Sequence, residues 1–251
     1  MDLIELKKVR YQNFLRHPWE LARVRILLFF LKKLNLSSKL ITDIGSGDAF
    51  IAKEVTIAFP DVSVIAADIN YTEEIKKKIA LNTENISFVS DMKMIKEQNT
   101  ASPDVVILMD VLEHIENPGH FLEEVKKTNN IDSHTHFFVT VPAFQLLFSN
   151  HDQSLGHFKR YTRKELTRLL KLHSFQIQHS GYFFSGLLAI RLMEKIFQKK
   201  ISTGLYNWNG GNLITSFFTA LFWIEFKVSW YLSRLQIYIP GLTCYCLCRP
   251  L

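Results

Sequence analysis

The sequence predicts an α/β fold: an open, mostly parallel sheet covered by helices on both faces. Three observations carry this. Short apolar runs recur and several end in an acid, helical periodicities separate them, and an early strand-to-helix turn carries paired glycines.

In chain order, residues 19–34 read as an amphipathic helix started after Pro18. The first strand begins at Leu40 and runs into Asp43, Gly45 and Gly47, and a helix follows over 51–59. The second strand, 62–68, ends in Asp68, and a helix covers 73–81. The third, 86–91, ends in Asp91. The fourth starts at Pro103, reaches Asp110 and continues into 111–115, with a helix at 119–127. Strand five is 135–141, closed by Pro142. Thr162 starts a further helix with Glu165 as its capping-box partner. Strand six is 175–183 and strand seven 242–248; between them lie helical stretches at 185–199 and 212–235.

Glycines at a strand-to-helix turn let the backbone bend sharply and bring a ligand close to bare peptide groups. The following helix offers free N–H groups and a partial positive charge, which suits a nucleotide-like ligand. A dinucleotide fingerprint needs Gly or Ala three residues past the second glycine, where Phe50 is too bulky. Asp68, about 20 residues on, suits a ribose diol.

The pattern Asp43-x-Gly45-x-Gly47-x-Ala49 resembles motif I of the class I S-adenosylmethionine (SAM) methyltransferases, with Ala49 where that family usually has Gly. The segment Leu112-Glu-His-Ile115 resembles the family's stretch after strand four. The resemblance spans residues 10–250 and implies a Rossmann-like, seven-stranded, mostly parallel sheet whose last strand is antiparallel. It implies SAM as cofactor, held by Asp43, Gly45, Ser46 and Gly47 at the turn, with Asp68 and Ile69 at the ribose. Asp91 and Met92 would line the adenine, and Met109 and Asp110 the methionine part. A second stretch is Val141-Pro-Ala-Phe144, then Ser149-Asn-His-Asp152, then Gly156-His-Phe-Lys-Arg-Tyr-Thr162. It is similar to a branch found beside glycosyltransferases of polyprenyl or cell-surface glycans. The implied reaction is methylation, of oxygen first, on a lipid-linked, glycan-linked or otherwise membrane-associated acceptor. A small-molecule acceptor stays open. So do a non-catalytic SAM-binding protein and, against Phe50, a nicotinamide-dependent oxidoreductase.

An in-line methyl transfer to a hydroxyl needs alignment and a base. His151 is the first candidate, oriented by Asp152, and His114 the second. His157, Arg160 and Tyr161 are the substrate-binding candidates, Arg160 for a phosphate or carboxylate. Asp110, Glu113 and His114, at i, i+3, i+4, would share a helical face and suit Mg²⁺. The expectation is a polar pocket without metal.

Charge is unevenly spread. Residues 1–40 carry 9 Lys/Arg and 3 Asp/Glu, residues 41–154 carry 8 and 18, and residues 155–251 carry 13 and 3. An acidic core between basic, Phe-rich ends points to an anionic membrane surface rather than nucleic acid, with solvated helix faces as the plain alternative. Basic residues Lys7, Lys8, Arg10, Arg16, Arg23 and Arg25 argue against a signal peptide. Cys244, Cys246 and Cys248 would share one face of a strand as apolar filling, in a reducing compartment. The expected placement is cytoplasmic, with peripheral attachment to the inner membrane face. Residues 1–38 form an N-terminal helical segment and 39–251 the SAM-binding domain, with an apolar insertion at about 184–240. Residues 212–235 can form a buried cap, an interfacial helix or a span. Tyr206, Trp208, Lys199 and Lys200 lie among the groups that would suit a lipid boundary.

Overall fold

The computed structural model describes residues 16–79, 84–98, 101–197, 208 and 210–251. Residues 1–15, Leu81, Lys199, Lys200 and Tyr206, to which the sequence reading assigned parts, lie outside them. Seven strands form one sheet: β1 (Leu40–Ile44), β2 (Ser63–Ala67), β3 (Ile86–Val89), β4 (Val105–Met109), β5 (His136–Pro142), β6 (Phe175–Phe183) and β7 (Thr243–Pro250). Their order is β3-β2-β1-β4-β5-β7-β6, and β7 runs antiparallel between β5 and β6. This is the expected Rossmann-like arrangement.

The helices are α1 (Pro18–Leu31), α2 (Phe50–Ala58), α3 (Glu73–Ile79), α4 (Lys93–Gln98), α5 (Pro118–Thr128), α6 (Asn150–Ser154), α7 (Arg163–Leu172), α8 (Ser185–Phe197) and α9 (Gly211–Arg234). Alternate strand residues enter two separate cores. Ile41, Val64, Ile107, Phe138 and Tyr245 meet α1, α2 and α9 on one face. Leu40, Ile65, Val106, Val139 and the three cysteines meet α5 and α7 on the other. The thiols thus fill a packed face, all buried.

α1 departs from the amphipathic expectation. Phe30 packs on Phe138 and Tyr245 of the sheet, while its neighbour Phe29 meets Trp223, Phe226 and Trp230 of α9. A helix sandwiched between two apolar partners needs apolar residues on opposite sides. Each such aromatic, taken out of water, contributes on the order of 2 kcal/mol. The last part of α9 is therefore a cap on the sheet, with Phe222, Phe226 and Trp230 buried.

Candidate active site

Between β1 and β4 the strand order reverses, and the carboxyl ends of these strands border the crevice where open α/β sheets take ligands. Gly45, Gly47 and Ala49 all have left-handed backbones, with φ of +73, +54 and +56°. At Gly45 a Cβ would stand 2.6 Å from Val111 Cγ2, so glycine lets the turn close against the segment after β4. Ala49 accepts the strained conformation as N-cap of α2.

The turn is tied to the end of β2. Gly45 N and Ser46 N donate to Ala67 O at 2.8 and 3.1 Å, and Gly47 N donates to Asp68 Oδ2 at 3.0 Å. Asp68 Oδ1 accepts from Asn70 N at 2.9 Å. Ser46 Oγ and the Tyr71 hydroxyl lie 2.7 Å apart. Asp43 is 1% exposed, and its Oδ2 has no hydrogen-bond partner among the described residues. Burial, then the nearby Asp68 charge, push its pKa up to about 7. Asp91 accepts from Lys93 N and so opens α4, Met92 is half-buried, Ile69 stands exposed beside Asp68, and Met109 ends β4 in the core.

Two arginines from α1 and its approach reach this edge. Arg16 pairs with Asp48 and lies 4.1 Å over the Phe50 ring. Arg23 pairs with Asp110 at 2.7 Å, and Thr140 Oγ1 donates to the other Asp110 oxygen at 3.0 Å. In the sequence these arginines registered only as charges that break an apolar run. Only the fold brings α1 to the sheet edge.

The second half of the site lies beyond β4 and β5. Asp152 is buried and central. Arg160 grips it with Nε on Oδ1 at 2.8 Å and Nη2 on Oδ2 at 3.0 Å, and Ser149 donates to Oδ2 from N and Oγ. His157 Nδ1 is 3.1 Å from Oδ1. Burial alone would raise the Asp152 pKa, but the bonds from His157 and Arg160 hold it well below the usual carboxylate range. A carboxylate only accepts, so Nδ1 carries the hydrogen in this contact.

This redraws three assignments. Asp152 orients His157, five residues on, whereas His151 stands exposed one residue before it. Arg160 has its guanidinium on Asp152 and on Ala143 O, and so braces the loop. Tyr161 is buried, and its hydroxyl donates to Leu112 O at 3.2 Å. Together with Phe158 N on Glu113 O at 2.7 Å, it straps this loop to the Leu112–His114 turn.

That strap brings His157 to His114, ring centroids 4.5 Å apart and perpendicular. Glu113 beside them is 0% exposed, and neither carboxylate oxygen has a hydrogen-bond partner among the described residues. Its pKa is raised, first by burial and then by Asp110. Donor atoms of Glu113, His114 and His157 lie within 4.8 Å of one another. His157 thus takes the place that spacing gave to Asp110, because Arg23 and Thr140 hold Asp110.

A nucleotide cradle at the switch point, edged by acids, defines a cofactor-binding α/β enzyme. The family model described as a methyltransferase domain matches residues 11–180, and the chain belongs to that family of SAM-dependent methyltransferases. No curated protein matches it. Among solved structures it is similar to a SAM-dependent methyltransferase from Archaeoglobus fulgidus, with 15% identity, coverage of 92% of this chain and 93% of that one, and a TM-score of 0.54. The methyltransferase domain of bacterial CtHen1-C gives 12%, 92%, 98% and 0.54. The plantazolicin methyltransferase BamL, in complex with a triazolic desmethylPZN analog and SAH, gives 12%, 92%, 84% and 0.53. At these identities the likeness concerns the fold.

The residues present fit SAM. The glycine turn offers backbone at close range, and the unpartnered Asp43 oxygen beside Asp68 favours a cationic ligand.

Proposed function

We propose that this enzyme methylates an oxygen on a lipid-linked, glycan-linked or other membrane-associated acceptor, at the cytoplasmic face of a membrane. When bound, SAM supplies an electrophilic methyl group on a sulfonium. Asp43, Gly45, Ser46, Gly47 and Asp68 would hold it at the turn, with Asp91, Met92 and Met109 on the adenine and methionine sides. The observation that carries the choice of oxygen is the Asp152–His157 pair. A hydroxyl loses its proton as the new bond forms. His157, oriented through Nδ1 by Asp152, would take that proton at Nε2, with the His114 ring perpendicular beside it. Asp152 keeps its charge throughout and steadies the imidazolium. The basic, aromatic ends of the chain support the membrane part of the reading.

The test is incubation with methyl-labelled SAM and membrane lipid extracts, followed by identification of the labelled product. Label in an organic-phase, alkali-stable ether is expected. Label confined to water-soluble small molecules overturns the membrane-borne acceptor, and label on nitrogen overturns the oxygen. Asp68→Ala is expected to weaken SAM binding by about 30-fold in calorimetry, since a charged hydrogen-bond acceptor is lost.

A further inference from the structure

The first turns of α9 differ from the rest of that helix. From Gly211 to Ile224 there is no charged residue. Thr215 and Phe222 face inward, while Leu213, Phe217 and Ile224 are 88%, 65% and 59% exposed, with Ile214, Phe218 and Leu221 exposed around them. A soluble surface does not leave so many large apolar side chains together in water without a partner.

The collar behind this apolar tip is basic and aromatic. Lys33 and Lys227 both lie over the rings of Phe29 and Trp230, Arg25 lies over Trp223, and Arg234 over Trp230. Cations held on aromatic rings beside an uncharged tip match the order of a bilayer surface: phosphates and interfacial water outside, acyl chains beneath. We propose that the exposed face of the start of α9 lies along the interface of an anionic lipid bilayer, with Leu213, Phe217 and Ile224 entering one leaflet and Arg25, Lys33, Lys227 and Arg234 meeting the phosphates along that face.

Length decides between insertion and spanning. Gly211–Ile224 covers about 21 Å as a helix, against about 30 Å for the hydrocarbon core. The remainder of α9 is bound to the protein: Phe226 is buried on the sheet side, Ser229 Oγ donates to Tyr182 O at 3.0 Å, and Glu225 caps the start of α8 through Ser185 N. Crossing the membrane would strip this half from the fold.

The tip also lies close to the site. Thr219 Oγ1 donates to Pro18 O at 3.4 Å, and the Trp208 ring lies 4.8 Å from that of His17, the N-cap of α1. Arg16, next to His17, reaches Asp48 beside the glycine turn. Insertion therefore brings the crevice to the lipid surface, where a lipid-linked acceptor presents its head group. For this orientation alone the inference rests on the proposed function.

Full-length protein is sedimented with acceptor-free vesicles of phosphatidylcholine, with or without phosphatidylglycerol. Binding to the anionic vesicles is expected to be at least about tenfold tighter. The variant Leu213→Glu with Phe217→Glu should lose binding to both while keeping SAM affinity, which confirms its fold. Lys33→Gln with Lys227→Gln should lose the preference for phosphatidylglycerol. A bimane probe on Phe217→Cys should be quenched most by lipids brominated high on the acyl chain. Absent vesicle binding, quenching strongest at the bilayer centre, or a solution dimer broken by Phe217→Glu in place of lipid binding would each overturn the proposal. Because the vesicles hold no acceptor, failure here is separate from failure of methyl transfer.

Discussion

The donor turn and the His157 cluster both depend on buried acids at one sheet edge, yet they are assembled differently. The donor turn comes from neighbours in sequence: Asp43, Gly45 and Gly47 on one turn, and Asp68 at the end of the next strand, paired in register with the first. The His157 cluster gathers Glu113 and His114 from the far side of β5 and holds them by two backbone-directed bonds, from Phe158 N and the Tyr161 hydroxyl. The donor side uses backbone shape with an acid left partly unpaired. The other side uses a fully engaged acid, Asp152, to aim a histidine. The first arrangement waits for a cationic ligand, whereas the second is already set.

The largest effect expected from breaking this difference is at Asp152. Asp152→Asn leaves the part-buried Arg160 without its counter-charge and should cost about 3 kcal/mol in urea unfolding. Turnover should fall about 100-fold by the labelled-methyl assay. His157→Ala should reproduce the kinetic loss. His151→Ala should change kcat by less than about fivefold. Equal losses in the two histidine variants would refute the assignment of His157.

A smaller effect, of opposite sign, is expected at Asp43. Its folded pKa, about 7, lies above the ordinary 3.8, so the folded protein binds the proton more tightly than the unfolded chain. That stabilisation is complete below the unfolded value and is lost as pH rises through about 7. Asp43→Asn removes the dependence. Its stability relative to the parent should therefore climb between pH 5 and 7, by about 2 kcal/mol. The thermal shift given by SAM should grow over the same range, as the carboxylate ionises beside the bound cation. A constant difference across that range would mean Asp43 is already ionised.

The smallest is at Ala49. Glycine relieves the left-handed strain but adds freedom to the unfolded chain, so Ala49→Gly should gain about 0.5 kcal/mol in melting experiments.

The donor half was legible because its signals are local. A glycine pair after an apolar run and an acid at the next strand end need no knowledge of distant contacts. Phe175–Phe183 and the apolar run in α9 were legible for the same reason, through period and length. The His157 cluster was not. The pair His151–Asp152 is adjacent in the chain, but α6 turns the two residues in different directions, and a loop closed by Tyr161 returns His157 to the carboxylate. Nor did Arg23 carry any sign that it would cross to Asp110, because that pairing depends on where α1 lies on the sheet.

Asp152 also closes the capping box of a helix only five residues long, Asn150–Ser154. One side chain therefore governs both the persistence of that short turn and the aim of the imidazole. Short helices fray well before a seven-stranded sheet comes apart. On warming, the enzyme should fall silent several degrees before it melts, and recover fully on cooling.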